Sequence, residues 1–301
     1  MQLNGILFPK TVPSYTSTSA YGRLIYIPRD PNLWELSPPF LTSDIAYKSL
    51  KEKGTDYATE GYSCPYIPCI YLGAKKPSTK VLIFFHGNAE DVVSSLNLLR
   101  MVRRALPFHV FSIEYQGYGI YEGSASAESI LEDANLFLEY LMKVYNKKPS
   151  DLIVMGRSIG SGPASYIAGK YDISSLILLS PFTSIRAMAK EYVGSALQYL
   201  IAERFDNAKQ LKSSKCPIFL IHGKKDDIVP YTHSVEMWKD ITAPGLLNLP
   251  PNMTHGSFAF FEDFVKPLKY FYDVIGLDIA PKDTDTGLFR FPRKLFMPPK
   301  K

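Results

Sequence analysis

The chain has 301 residues, which allow one large domain or two small ones, and its hydrophobic content of 46% is ample for a core. The formal net charge of +5 is modest. No apolar run approaches the roughly 20 residues that a membrane-spanning helix needs, so no transmembrane segment is predicted. Three cysteines in a chain of this length favour a reducing, cytoplasmic compartment over a disulfide-built secreted protein.

Residues 1–63 are predicted to run over the domain as an extended leader. Six prolines interrupt this stretch, and only residues 22–27 read as a strand, which predicts an edge strand or a hairpin. The first ten residues hold too short an apolar run for a secretory signal. Gln2 stands where N-myristoylation requires a glycine.

From residue 64 to 274, apolar runs alternate with helical patterns. Strands are predicted near residues 67–72, 81–85, 109–115, 152–155, 176–179, 218–221 and 245–249. Helices are predicted near residues 91–106, 126–145, 161–170, 184–202, 231–240 and 257–274. Strands joined by helices of this length predict an α/β fold with a doubly wound, mostly parallel sheet, and such sheets bind ligands at the carboxyl ends of their strands.

Two of these strands end in glycine-containing turns that suit acyl transfer. The second strand, 81–85, runs into His86-Gly87-Asn88-Ala89, where a glycine exposes backbone N–H groups. The fourth runs into Gly156-Arg157-Ser158-Ile159-Gly160, and the order strand, tight turn with a central serine, then helix is that of a nucleophile elbow. The N–H of Ile159, together with N–H groups of the first turn, could hold the negative oxygen of a tetrahedral intermediate.

The remaining candidates follow the last two strands. Asp226 lies five residues into His222-Gly223-Lys224-Lys225-Asp226, and His255 lies in the loop after the final strand. A serine hydroxyl needs an adjacent base, and the base needs a carboxylate that orients it. The chain order Ser158, Asp226, His255 is the order that α/β-hydrolases use.

Taken alone, each of these residues has a more ordinary interpretation. A serine between two glycines is usually a turn residue, and His86 and His222, at strand ends, are more typical of loop support than of ligands. The five histidines lack cysteine or carboxylate partners at ligand spacing, so no metal site and no cofactor are predicted. The three candidates together, each at the end of a strand, favour a catalytic site.

These motifs resemble the α/β-hydrolase superfamily, and within it the α/β-hydrolase domain-containing depalmitoylase, or acyl-protein thioesterase, branch. The resemblance covers about residues 67–272. It implies a triad of Ser158, Asp226 and His255, oxyanion donors at the backbone of Asn88 and Ile159, and cleavage of S-acyl groups on proteins. Members of this branch carry an acylated cysteine cluster near the amino terminus, whereas residues 1–63 contain no cysteine, so membrane contact is expected to be peripheral at most.

The segment 181–216 is the predicted lid, and it is small. A small lid leaves the serine open to a bulky substrate, which suits an acylated protein. A lipid ester, a peptide or a small ester would use the same machinery, because the pocket selects the substrate.

Residues 275–301 form a basic and aromatic tail. Arg290, Arg293, Lys294, Lys300 and Lys301 alternate there with phenylalanines and prolines. The alternatives are a solvated tail and an extended arm on a partner protein, and we favour the arm; nucleic-acid binding is ranked last. The leader and this tail also allow a second hypothesis, that of a non-catalytic hydrolase-fold subunit that acts as a structural component of an assembly.

Overall fold

The computed structural model describes residues 7–9, 12–16, 24–34, 66–197, 201–281, 289, 291 and 293–296. Eight strands lie in these ranges: β1 Leu24–Pro28, β2 Tyr66–Leu72, β3 Val81–Phe85, β4 His109–Ile113, β5 Leu152–Arg157, β6 Ser175–Leu179, β7 Ile218–Ile221 and β8 Gly245–Asn248. They form one sheet in the order β1-β2-β4-β3-β5-β6-β7-β8. β2 is antiparallel to both β1 and β4, and the other neighbours are parallel. The predicted mostly parallel sheet is confirmed.

Helices pack on both faces of this sheet. They are α1 Leu96–Ala105, α2 Ala127–Val144, α3 Ser161–Lys170, α4 Ile185–Leu197, α5 Asn207–Ser213, α6 Thr232–Trp238 and α7 Lys266–Val274. Alternate residues of β3 serve the two faces: Ile83 joins the cluster that contains α2 and α3, and Leu82 joins the cluster that contains α1 and α7. A strand that is buried on both faces reads as a continuous apolar run, which is why it is visible in the sequence.

The structure corrects the helix prediction in three places. α1 begins at Leu96, not near residue 91, because the Asp91 carboxylate accepts the Val93 and Ser94 N–H groups at 3.1 and 2.7 Å and holds a turn. The last predicted helix is divided into a π-helical turn, Phe260–Val265, and α7, which has a proline in its first turn. α5 was not predicted, and it lies within the proposed lid.

The described parts of the leader pack on the domain. β1 pairs with β2 over its whole length, and the Trp34 indole N–H donates to the Pro28 carbonyl at 2.7 Å. Phe8 is 3% exposed and meets the Phe205 ring edge-to-face. Cys64 lies outside the described residues, whereas Cys69 and Cys216 are buried free thiols. Burial raises the pKa of both thiols, so neither is a poised nucleophile.

One aromatic residue of the tail, Phe289, packs on the protein's own domain, where the sequence predicts contact with a partner protein. Phe289 is buried, with its ring centroid 5.1 Å from that of Phe111 and 4.8 Å from that of Tyr145. Large apolar rings bury on the nearest uncovered apolar surface, which here is the protein's own sheet. The helical turn Arg293–Phe296 lies against β1. The basic side chains from Arg290 onwards lie outside the described residues.

Phe289 is therefore predicted to stabilise the folded domain. Phe289→Ala should lower the free energy of unfolding by about 3 kcal/mol, since it removes a buried ring and leaves a cavity. Phe296, 38% exposed, provides the control: Phe296→Ala should cost less than about 1 kcal/mol. Urea unfolding measures both. Equal, small losses would mean that the tail is not part of the core.

Within the described ranges, no helix combines the length and the apolar character that a bilayer crossing requires.

Candidate active site

Ser158 begins a strained turn at the end of β5. Its φ of +51° lies in the left-handed region, which non-glycine residues adopt only where surrounding packing imposes it. β5 ends at Arg157, a single helical turn spans Ser158–Gly160, and α3 follows directly. The predicted strand, turn and helix of a nucleophile elbow are therefore present in this order.

The two glycines of the elbow are required by space. A Cβ on Gly156 would lie 2.7 Å from the Cβ of Ala164 in α3. A Cβ on Gly160 would lie 2.7 Å from the carbonyl oxygen of His86. Both distances are too short for a side chain, so the elbow packs tightly against the end of β3. This contact brings Ser158 beside the loop that contains Asn88.

The loop after β3 uses almost all of its own N–H groups. The Gly87 N–H donates to Glu90 Oε2 at 3.1 Å, and the Ala89 N–H donates to Asn88 Oδ1 at 3.1 Å. The Glu90 N–H donates to the Gly87 carbonyl at 3.4 Å, and the Asp91 N–H donates to Ser94 Oγ at 2.8 Å. Asn88 is the exception in this loop, because its N–H donates to none of the described residues. The Asn88 N–H is therefore available to a ligand.

The backbone N–H of Ile159 is the second oxyanion donor that the sequence predicts. It lies in the first helical turn after Ser158, where N–H groups have no acceptor within the helix. The positive end of the helix dipole adds to the attraction for an anion at this position.

Asp226 is a buried carboxylate in the loop after β7. Its Oδ1 accepts the N–H groups of Val229 at 2.8 Å and Ile228 at 3.1 Å. Burial opposes ionisation, but hydrogen bonds from His222, His255 and the Val229 N–H outweigh it and hold the pKa of Asp226 far below its usual range. The carboxylate is therefore charged at neutral pH. His222, which the sequence predicts to be structural, also binds Ser234 Oγ at 2.7 Å.

His255 is in direct contact with this carboxylate. Its Nδ1 lies 2.9 Å from Asp226 Oδ2 and 3.0 Å from Oδ1. Because an ionised carboxylate only accepts, Nδ1 carries the proton, and in the neutral ring Nε2 is left as the acceptor. The His255 side chain is 12% exposed, so one part of the ring faces solvent.

The backbone of His255 is held at the elbow. The Arg157 guanidinium donates from Nη2 to the His255 carbonyl at 3.0 Å, although the two residues are 98 positions apart in the chain. Arg157 is the direct neighbour of Ser158. The structure thus brings the loops of Ser158, Asp226 and His255 to the same rim of the sheet, at the carboxyl ends of β5, β7 and β8.

A buried ion pair that sequence reasoning missed lies beneath the Asn88 loop. His86 Nε2 is 2.9 Å from Glu114 Oε1, and both side chains are fully buried. His86 Nδ1 is 3.0 Å from the Gly87 carbonyl, so both ring nitrogens face acceptors and both carry a proton. Burial opposes this charge, but the contact with Glu114 prevails and raises the pKa of His86. The Tyr15 hydroxyl donates to the same carboxylate at 2.8 Å.

The pair makes stability depend on pH in a defined direction. The pKa of His86 is higher in the folded than in the unfolded protein. The ion pair therefore stabilises the fold fully at pH values below the unfolded pKa of about 6.5, and this stabilisation is lost as pH rises through the folded pKa. The free energy of unfolding of the wild type should fall over that range. In Glu114→Gln the fall should disappear, whereas the exposed control Glu262→Gln should keep it. Urea unfolding at several pH values measures this, and an unchanged pH dependence in Glu114→Gln would contradict it.

Among the described residues, no group of histidine, cysteine and carboxylate side chains is arranged to hold a metal ion. The site consists of a hydroxyl, an imidazole, a carboxylate and backbone N–H groups. This set suits acyl transfer through a covalent intermediate.

Comparison with known proteins agrees with this chemistry. Residues 76–210 match the family described as serine aminopeptidase, S33. Alpha/beta hydrolase domain-containing protein 17B of Homo sapiens is 24% identical over 205 residues, which are 68% of this chain and 70% of that protein. Protein aho-3 of Caenorhabditis elegans, also alpha/beta hydrolase domain-containing, is 26% identical over 208 residues, which are 69% of this chain and 62% of that protein.

The chain is similar to members of the α/β-hydrolase superfamily and has their fold. Among solved structures, the Pyrococcus furiosus esterase Pf2001 superposes with a TM-score of 0.59 at 15% identity, covering 89% of this chain and 96% of the esterase. Alpha/beta hydrolase domain-containing protein 10 from mouse superposes with a TM-score of 0.53 at 15% identity, covering 72% and 98%. The predicted α/β-hydrolase fold is confirmed, the predicted resemblance to the superfamily is supported by these matches, and the matched family is one of serine hydrolases.

Proposed function

We propose that the protein hydrolyses acyl esters or thioesters with Ser158 as nucleophile, His255 as general base and Asp226 as the carboxylate that orients it. The backbone N–H groups of Asn88 and Ile159 are the proposed oxyanion donors. One observation carries this proposal. The imidazole of His255 binds Asp226, and the backbone carbonyl of His255 accepts a hydrogen bond from Arg157, the neighbour of the elbow serine.

The proposed chemistry is acyl transfer in two halves. Ser158 Oγ attacks the acyl carbon while His255 Nε2 accepts the hydroxyl proton, and the carbonyl oxygen gains the negative charge that the two N–H groups would hold. The C–S or C–O bond then breaks, and the proton passes from His255 to the leaving thiol or alcohol. Water releases the acyl group from Ser158 by the same steps. Asp226 stays ionised and stabilises the imidazolium in both halves.

An S-acylated protein is the proposed substrate class. The segment 181–216 contains two helices, α4 and α5, and so small a lid leaves the rim of the sheet open to a bulky acyl carrier. The sequence resemblance to acyl-protein thioesterases points the same way. The relatives named above are described as alpha/beta hydrolase domain-containing proteins, which supports acyl transfer without selecting one acyl chain.

Covalent labelling tests the proposal directly. A fluorophosphonate probe should label the intact protein, and Ser158→Ala should lose all labelling while retaining its melting temperature. Ser161→Ala, which changes a buried hydroxyl three residues away, is the control and should still label. A panel of p-nitrophenyl esters and S-acyl peptides should then give turnover in the wild type. Absence of labelling in folded wild-type protein would refute the proposal.

The hypothesis of a non-catalytic assembly subunit is not favoured. Its basis in the sequence is a leader of about 63 residues and a tail of 27, which are more than the fold needs. In the described ranges, Phe8, Phe289 and Leu295 are buried against the domain itself, so these arms have an intramolecular role.

A further inference from the structure

Glu90 and Arg157 connect three loops that are distant in the chain. The Arg157 guanidinium forms a close ion pair from Nη1 with Glu90 Oε1, and from Nη2 it donates to the His255 carbonyl at 3.0 Å. Glu90 lies in the loop of the proposed oxyanion donor, Arg157 lies in the elbow, and His255 carries the proposed base. No motif of the α/β-hydrolase pattern used above assigns a role to either charged residue.

Glu90 is itself fixed within its loop. Its second carboxylate oxygen accepts the Gly87 N–H at 3.1 Å and the Ser95 hydroxyl at 3.0 Å. Three partners therefore hold this carboxylate, so its position sets that of Arg157. The side chains of Glu90 and Arg157 are 23% and 20% exposed, which leaves the pair largely shielded from water. Charge-assisted bonds of this kind are stronger than neutral ones.

The loop of His255 has an anchor on each side. On one side, Asp226 binds the ring and the Lys225 N–H donates to the Met253 carbonyl at 3.1 Å. On the other side, Arg157 binds the carbonyl of His255. The side chain of Asp226 fixes the orientation of the ring, but it does not fix the distance of the ring from Ser158. The bond from Arg157 constrains that distance, since Arg157 and Ser158 share a peptide bond.

We propose that Glu90 and Arg157 are positioning residues: Glu90 holds the guanidinium, and the guanidinium holds the backbone of His255 at the distance from Ser158 that proton transfer requires. This inference rests on the proposed function of Ser158 and His255. Misplacement of a reacting group by about 1 Å can reduce a rate about a hundredfold. A lysine at position 157 carries its three N–H donors on one nitrogen, so it cannot reproduce the planar fork in which Nη1 and Nη2 bind separate partners.

The test compares Arg157→Gln, Arg157→Lys and Glu90→Gln, with Arg104→Gln, an exposed arginine on α1, as the control. We expect kcat for an ester substrate to fall about 30- to 100-fold in Arg157→Gln and about tenfold in the other two, because each change allows the base to be misplaced. KM should stay within about threefold, because no substrate contact is removed. The double variant Glu90→Gln/Arg157→Gln should be no slower than Arg157→Gln alone, since both substitutions break one link.

A second set of variants, made in His255→Ala protein, distinguishes a purely structural role of Arg157 from a positioning role. In His255→Ala, the further change Arg157→Gln should leave the residual rate of fluorophosphonate labelling unchanged, because Arg157 acts through His255. Additive losses in that background would overturn the inference, as would a kcat for Arg157→Gln within about threefold of the wild type. If the wild type shows no labelling dependent on Ser158, the proposed function and this inference fall together. If labelling is intact and only Arg157→Gln is neutral, the inference alone is wrong.

Discussion

Replacement of His255 by alanine is expected to reduce kcat for ester hydrolysis by about a million-fold. Without the imidazole, no group in the described site accepts the Ser158 proton, and a serine hydroxyl is a weak nucleophile at neutral pH. The ring is partly exposed and, within the part of the chain that the structure describes, bonds only to Asp226, so its removal should leave the fold intact. With a p-nitrophenyl ester as substrate, stopped-flow assays measure the rate of the wild type, and assays over long times measure the slow rate of His255→Ala.

Ser257→Ala is the matched control for this loop. Ser257 is exposed two residues further on, and its backbone bonds to Thr254 survive the substitution. Its kcat should stay within about twofold. Added imidazole should partly restore the rate of His255→Ala but not that of Ser158→Ala, since only the base is replaced. A loss of less than about a hundredfold in His255→Ala would assign the base to another group.

Asp226→Asn is expected to lower kcat by about ten-thousandfold. The asparagine retains an oxygen that can accept the Ile228 and Val229 N–H groups, so the loop should keep its shape. What is lost is the charge that fixes the proton on Nδ1 of His255 and stabilises the imidazolium. Substrate binding should change little, so the loss should fall on kcat rather than on KM.

Asp227→Asn separates this role from a general effect of negative charge. Asp227 is exposed and follows Asp226 directly in the chain. If field effects alone mattered, both substitutions would slow the reaction to a similar degree. We expect Asp227→Asn within about twofold of the wild type. Equal losses in the two variants, measured on the same substrate panel, would remove Asp226 from its proposed role.

The strands were the most predictable part of this molecule. β3, β5 and β7 are buried on both faces, so each appears in the sequence as an uninterrupted apolar run of four or more residues. The helices between them followed from their length and periodicity. α5 was missed because its seven residues are largely polar, and its start depends on the Asp206 side chain, which caps the Lys209 N–H.

The arrangement of the sheet was less predictable than its parts. Nothing local in the sequence indicates that β2 lies between β1 and β4, because that order depends on pairing across distant segments. The tail shows the same limit. Phe289 and Phe291 follow no helical or strand period, so their burial against Tyr71 could not be inferred from pattern alone.

The order of the motifs in the sequence predicts the candidate triad, but the sequence does not predict the side-chain contacts around it. Ser158, Asp226 and His255 were found because their loops follow recognisable strands and glycines. Glu90 and Arg157 are 67 residues apart, and their ion pair exists only when the elbow packs against the β3 loop. The one available signal was a charged residue beside the elbow serine. Likewise, the contact of His86 with Glu114 spans 28 residues and depends on the parallel pairing of β3 with β4.

The turn Arg293–Phe296 against β1 has a consequence for self-association. β1 is the terminal strand of the described sheet, and the buried side chain of Leu295 lies in the segment that covers it. Unpaired backbone groups on such a strand are a template for strand addition by another chain. A protein shortened after residue 288 should therefore aggregate through β1 in light scattering, while its elbow serine stays reactive in the fraction that remains monomeric.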